Sequence, residues 1–76
     1  MIKSAHDERY KSLLKHLIAA RNAQGLSIRD LAALIDEPNQ LVNNVENGVR
    51  KLTVHEYVQY CQALKIDPKA GLDILI

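Results

Sequence analysis

Apolar residues recur along the chain at intervals of three and four, which is the spacing of one face of an α-helix. The first such face runs through Tyr10, Leu13, Leu14, Leu17 and Ile18 to Arg21. Ser4 or His6 can precede this helix, and Gly25 can supply the left-handed residue that ends it. No stretch alternates apolar and polar residues over the length of a β-strand, so the pattern predicts an all-α protein.

Capping residues mark the starts of three further helices. Ser27, with Asp30 three residues later, resembles a capping box for a second helix. The T-x-x-E motif at residues 53–56 is a capping box for a fourth helix. Asp67 followed by Pro68 places a cap and a first-turn proline at the start of a fifth.

The stretch "PNQLVNNVENG", residues 38–48, predicts the third helix. Pro38 separates it from the second helix because proline disfavours helical backbone at Glu37, and Gly48 can end it. Its apolar face holds Val42 and Val45, while its polar face, here called the amide face, carries Asn39, Gln40, Asn43 and Asn44. Because asparagine is a poor helix former, helix stability does not explain the three asparagines of this face.

The same spacing predicts which residues of the second and fourth helices face inward. They are Leu31, Leu34 and Ile35 in the second helix and Val54, Tyr57, Val58, Cys61 and Leu64 in the fourth. Tyr10, Tyr57 and Tyr60 are expected in the core or at its edge, and Cys61 is expected as a small core residue.

The second and third helices carry the pattern of a DNA-binding helix-turn-helix. Ala32 is small where the next helix must cross closely, and Asp36 lies four residues later at the bend. A bend of this kind needs left-handed backbone, which glycine adopts best and asparagine or aspartate tolerates. Val42 then faces back into the core.

The segment "GLSIRDLAALIDEPNQLVNNVENG", followed by the capping box and "LKIDP", resembles the Cro/lambda-repressor-type helix-turn-helix family, often called XRE-like. The resemblance covers about residues 9–70 and rests on "GLS", "LA", "V..VE.G" and "L.IDP" in that order. It implies a five-helix DNA-binding domain over residues 1–76, with the helix-turn-helix at about 27–47 and a C-terminal helix at about 67–76. The expected partner is double-stranded DNA.

The resemblance also implies which residues contact DNA. By position, Asn39, Gln40 and Asn44 would contact base edges in the major groove, with Asn43 beside them, and a carboxamide can hydrogen-bond adenine through N6 and N7. Leu41 could touch a thymine methyl group or pack against the second helix. The alternative is a polar, weakly helical surface with no function.

Two further sets of residues follow from the resemblance. Arg21 and Glu46 are expected to form an ion pair that holds the third helix against the first. Contacts to the DNA backbone are assigned to Ser27, Ile28, Arg29, Asn47, Arg50 and Lys51, with backbone N–H groups of residues 47–49 as further donors. Ile28 stands where many relatives have glutamine, and Glu37 brings an acid close to the phosphates, so both depart from the family pattern.

Composition limits the kinds of site and the classes of function that the chain can have. The net charge is only +1, and residues 1–25 hold five basic against two acidic side chains. One cysteine excludes a disulfide framework, and the spacing of His6, His16 and His55 suggests no metal site. We expect no enzyme, no cofactor and no metal, and the absence of a signal-peptide pattern or membrane span favours the cytoplasm.

The C-terminal residues are unusually apolar. Leu72, Ile74, Leu75 and Ile76 are expected to form a dimer interface, because exposed apolar patches usually mark interfaces. The sequence therefore predicts a homodimeric regulator that binds a palindromic operator, a repressor of phage, mobile-element or bacterial origin. The alternative is a protein-interaction module or antitoxin that uses the same fold to bind a partner protein. The candidate protein partners are a toxin and polymerase.

Overall fold

The computed structural model describes residues 8–76, and this part of the chain is entirely helical, without a strand. The five helices are α1 (Glu8–Ala23), α2 (Ile28–Leu34), α3 (Asn39–Glu46), α4 (Val54–Leu64) and α5 (Pro68–Leu75). The all-α prediction and the number and order of helices are confirmed. The residues expected before α1, Ser4 and His6, lie outside the described residues.

Helix ends follow the capping residues of the sequence. Ser27 and Asp30 form a complete capping box at α2, the T-x-x-E motif at residues 53–56 does the same at α4, and Asp67 caps α5. Gly25 and Gly48 adopt positive φ angles of 69° and 75° just after α1 and α3. Local chemistry therefore fixes where the helices begin and end.

A single apolar cluster fills the space between the helices. Its members are Leu13, Leu14, Leu17, Leu31, Ala32, Ile35, Val42, Val45, Tyr57, Tyr60, Cys61 and Leu64. α2 packs mainly on α3, and α5 packs mainly on α1. All five helices contribute to or pack against this core, and α3 is positioned by its packing on α2 and α1.

Three residues predicted to face inward are exposed instead. Leu34 is 58% exposed, Val54 82% and Val58 38%. In α2 the buried side begins at Ile28 and continues through Leu31, Ala32 and Ile35, and Leu34 falls outside it. In α4 the buried set is Tyr57, Tyr60, Cys61 and Leu64, so Tyr60 rather than Val58 faces the core and Val54 lies one turn before it.

Gly71 permits the close packing of α5. It is buried, and a Cβ atom at this position would collide with the Tyr57 hydroxyl and lie 2.9 Å from Leu13 Cδ1. The Tyr57 hydroxyl donates a hydrogen bond to the Pro68 carbonyl at the start of the same helix. None of the helices in residues 8–76 is long and apolar enough to cross a membrane.

Candidate nucleic-acid interface

The turn between α2 and α3 is built on a left-handed aspartate. Asp36 has φ +56°, as the sequence predicts for the bend. Its N–H donates to the Ala33 carbonyl over 3.2 Å, and the Glu37 N–H donates to the Ala32 carbonyl over 2.9 Å. These two bonds form a Schellman-type helix end, which turns the chain so that α3 crosses α2. Ala32 is only 1% exposed at that crossing.

The two faces of α3 separate as the sequence predicts. Val42 and Val45 are completely buried. Asn39 and Gln40 are exposed, and Asn43 and Asn44 are partly exposed. Leu41 is partly buried and packs against the core, so it presents only part of its side chain to solvent. The structure thus gathers the four carboxamides of the amide face on the solvent side of one two-turn helix.

Two residues of the amide face are joined to each other. The Gln40 Nε2 donates a hydrogen bond of 2.9 Å to Asn44 Oδ1, one helical turn away. The bond does not use the Gln40 Oε1 or the Asn44 amino group, so the pair still offers one acceptor and one donor to a ligand. One acceptor and one donor side by side match the donor N6 and acceptor N7 that adenine presents in the major groove.

Arg21 and Glu46 form a bidentate ion pair between α1 and the last residue of α3. The Arg21 Nε lies 2.6 Å from Glu46 Oε2, and Arg21 Nη2 lies 2.9 Å from Glu46 Oε1. A third bond of 2.8 Å joins Arg21 Nη1 to the Leu26 carbonyl. Each side chain is 12% exposed, and the hydrogen bond to Glu46 raises the pKa of Arg21. The pair ties α3 to α1 and to the chain that enters α2.

A shallow depression brings the start of α2 next to the start of α3. It is lined by Arg21, Ser27, Ile28, Arg29 and Asn39. The Ser27 hydroxyl accepts the Asp30 N–H over 3.0 Å, and Asp30 accepts the Ser27 N–H, which lowers the pKa of the Asp30 carboxyl. Ile28 is partly buried, and its apolar side chain packs between the depression and the core.

The loop after α3 does not offer the N–H donors expected of it. The N–H groups of Asn47, Gly48 and Val49 donate to the carbonyls of Asn43, Val45 and Asn44. The Asn44 carbonyl also accepts the Arg50 N–H over 3.1 Å. These backbone groups close the end of α3, and a phosphate contact from residue 47 would therefore use the exposed Asn47 side chain.

Arg50 is committed to an ion pair within the protein. Its Nη1 and Nη2 lie 2.6 and 2.7 Å from the two carboxylate oxygens of Glu56, which also accepts the Thr53 N–H. Arg50 lowers the pKa of Glu56 from 4.5 to about 2, and Glu37 acts on Arg50 as a second nearby acid. Arg50 therefore fixes the loop to the start of α4, whereas Lys51 beside it is exposed.

Comparisons with known proteins agree with this geometry. The helix-turn-helix family model matches residues 17–70, which is most of the chain. A solved XRE-family like protein from Pseudomonas syringae pv. tomato str. DC3000 is 38% identical, with a TM-score of 0.85. The match covers 93% of this chain and 87% of that protein. The chain belongs to the XRE-type helix-turn-helix family. None of the curated proteins matches it significantly.

Membership of the XRE-type family makes this a DNA-binding regulator fold, with α2 and α3 as its helix-turn-helix. Sequence reasoning missed two features of the surface around the helix-turn-helix. One is Glu56, which sequence reasoning placed only in a capping box and which also holds Arg50. The other is a lysine pair on α1, Lys11 and Lys15, that lies beside the end of α3. No local pattern marks either feature, because each depends on residues from separate helices.

Proposed function

We propose that this protein is a homodimeric, sequence-specific DNA-binding regulator that represses transcription by occupying a palindromic operator. The observation that supports it most is the amide face, which is exposed on α3 of a helix-turn-helix while the opposite face of α3 is fully buried. A carboxamide loses less hydration free energy than a charged group when it enters a groove. Such a face suits contacts to base edges better than it suits a generic soluble surface.

In this proposal α3 lies in the major groove with Asn39, Gln40 and Asn44 towards the bases and Asn43 at the side. Each good bidentate carboxamide–adenine pair contributes about 1–3 kcal/mol of discrimination against the wrong base. The Arg21–Glu46 pair fixes the position of α3 relative to α1, so the carboxamides enter the groove in a constant register. The half-sites are accordingly rich in adenine.

Backbone contacts come from both edges of α3. On one edge Ser27 and Arg29 lie next to Asn39, and Ile28 packs beneath them. On the other edge the side chains of Asn47 and Lys51 are exposed. Arg50 contributes indirectly, since its ion pair with Glu56 sets the position of the loop that carries Lys51.

The dimer forms through an apolar groove of about 350 Å³ between the α3–α4 loop, α4 and α5. The groove is lined by the exposed Val54, Val58 and Leu72 and by the partly buried Leu75. The proposal also assigns Ile76, which is 90% exposed, to the dimer interface, whereas Ile74 is partly buried against the core of its own subunit. Two copies related by a two-fold axis place their α3 helices about 34 Å apart, in successive major grooves.

Selection of bound sequences from a random DNA pool tests this function. The proposal expects a two-fold symmetric motif with adenine-containing half-sites whose centres are about 10 base pairs apart. If the protein enriches no motif even at low salt, the proposal is wrong. The apolar groove would then be the place to test for a protein partner such as a toxin or polymerase. Because its target is intracellular DNA, the proposed regulator acts in the cytoplasm.

A further inference from the structure

The α1 lysine pair, Lys11 and Lys15, borders the interface at the end of α3. A groove of about 310 Å³ separates α1 from this end and is lined by Lys11, Lys15, Ile18, Glu46, Asn47 and Gly48. Lys11 and Lys15 are four residues apart in α1, so both ammonium groups lie on one side of that helix. Two cations thus border the groove that Asn47 also lines.

The loop after α3 offers the second DNA strand one exposed cation, Lys51. The N–H groups of residues 47–50 bond to α3 carbonyls, and the Arg50 guanidinium is held by Glu56 with Glu37 nearby. The major groove is about 12 Å wide and is bordered by a phosphate backbone on each side. A helix lying in it therefore needs contacts on both edges. Ser27 and Arg29 lie on one edge, and the loop after α3 supplies only Asn47 and Lys51 on the other.

The acidic groups around the α1 lysine pair do not cancel its charge. The Glu46 carboxylate borders the groove but is held bidentately by Arg21. Lys11 lies 3.6 Å from Glu8 in a pair whose side chains are 50% and 86% exposed, which is a weak surface interaction. Lys15 is exposed and has no ion pair within residues 8–76. A phosphate can therefore replace Glu8 at Lys11 and bind Lys15 directly.

We propose that Lys11 and Lys15 bind the DNA phosphate backbone on the α1 edge of the interface and, together with Asn47, position α3 in the major groove. This inference rests on the proposed DNA-binding function and assigns to α1 a role beyond support of the core. Long lysine side chains can extend across the groove from the helix, since only their ammonium groups need to reach the phosphates. Neither lysine contacts a base, so the contacts do not depend on DNA sequence.

The test compares the salt dependence of binding to a short mixed-sequence DNA duplex for the wild type and for Lys11→Gln/Lys15→Gln. Each lost phosphate contact lowers the slope of log affinity against log salt by about 0.9, so the double variant should lose about 1.8. If the two proteins bind equally at about 1 M salt, this slope makes each lost contact cost just under tenfold in affinity at about 0.1 M salt. The matched control is Lys65→Gln/Lys69→Gln, which removes the same charge from the α4–α5 side of the protein.

The inference is supported if the slope falls for the α1 variant and stays within 0.5 of wild type (about half of one contact) for the control. Equal slopes for wild type and α1 variant would overturn it while leaving the DNA-binding function intact. An equal fall for both variants would also overturn it, because net charge alone would then explain the effect. If the wild type does not bind the duplex at low salt, the proposed function fails as well.

Discussion

Gln40 and Asn44 are hydrogen-bonded to each other over 2.9 Å on the exposed face of α3. The bond orients both carboxamides before any DNA is bound, so less side-chain entropy is lost on binding than for two independent side chains. It also assigns the donor and acceptor ends of the pair, because Gln40 donates and Asn44 accepts. The two residues therefore act as one unit in the interface.

This coupling predicts non-additive effects on operator binding. Gln40→Ala and Asn44→Ala should each weaken binding by about 1–3 kcal/mol, the scale of a bidentate base contact. The double variant should lose less than the sum of the single losses by at least about 0.5 kcal/mol, because each single change already disorders the other residue. Binding titrations of the four proteins on one enriched duplex measure the coupling, and strictly additive losses would contradict the paired arrangement.

The Arg21–Glu46 pair is predicted to stabilise the fold. Glu46→Gln leaves the Arg21 charge partly buried without its carboxylate, and we expect the free energy of unfolding to fall by about 3 kcal/mol. Glu8→Gln, which removes the exposed carboxylate near Lys11, is the control and should change stability by less than about 0.5 kcal/mol. Urea unfolding at neutral pH makes the comparison. Similar stabilities for both variants would show that α3 is held by its buried valines alone.

The Arg50–Glu56 pair makes part of the stability depend on pH. The pKa of Glu56 is about 2 in the folded protein against 4.5 for an unperturbed side chain. The unfolded state therefore binds the proton more readily, and the contribution of Glu56 is complete above about pH 4.5 and is lost as the pH falls towards about 2. Glu56→Gln should cost about 1 kcal/mol at neutral pH.

The difference between wild type and Glu56→Gln isolates this pair from the other carboxyl groups that titrate in acid. Unfolding free energies measured from neutral pH down to about pH 2 should converge for the two proteins over the interval between the folded and unfolded pKa values. A difference that stays constant through this interval would mean that Glu56 stabilises the protein as a cap of α4 and not as a charge.

The apolar groove predicts which surface change prevents dimer formation. Leu72 is 48% exposed within the groove, and Leu72→Glu should raise the dimer dissociation constant more than about tenfold, or 1.4 kcal/mol, by placing a charge in an apolar contact. Leu34 is 58% exposed on another face, so Leu34→Glu is the matched control and should leave the dimer unchanged. Sedimentation equilibrium distinguishes the two, and a dimer that survives Leu72→Glu would move the interface elsewhere.

Much of the fold could be predicted because the decisive signals are local. Caps at Ser27 and Thr53 and the left-handed residues Gly25, Asp36 and Gly48 are each set by a few neighbouring residues, and all occur where the sequence indicates. The burial of Val42 and Val45 likewise follows from helical spacing within one short segment. The XRE-type resemblance then supplied the order in which these elements pack.

The features that the sequence does not predict depend on how one helix packs against another. Periodicity could not show that Val54 extends beyond the core, or that Tyr60 takes the inward position expected of Val58. Gly71 is required because α5 passes closely over Tyr57 and Leu13, which no local pattern reveals. The sequence places Arg50 in reach of the DNA backbone but does not show that Glu56 from the next helix holds it.

The most direct test of the amide face compares DNA selectivity with and without its first two carboxamides. Sequences are selected from a random pool by the wild type, by Asn39→Ala/Gln40→Ala and by the control Gln62→Ala, which removes an exposed carboxamide from α4. We predict that the wild type and the control enrich the same adenine-containing, two-fold symmetric motif and that the α3 variant loses the preference at those adenines. An identical motif from all three proteins would contradict the assignment of base contacts to the amide face.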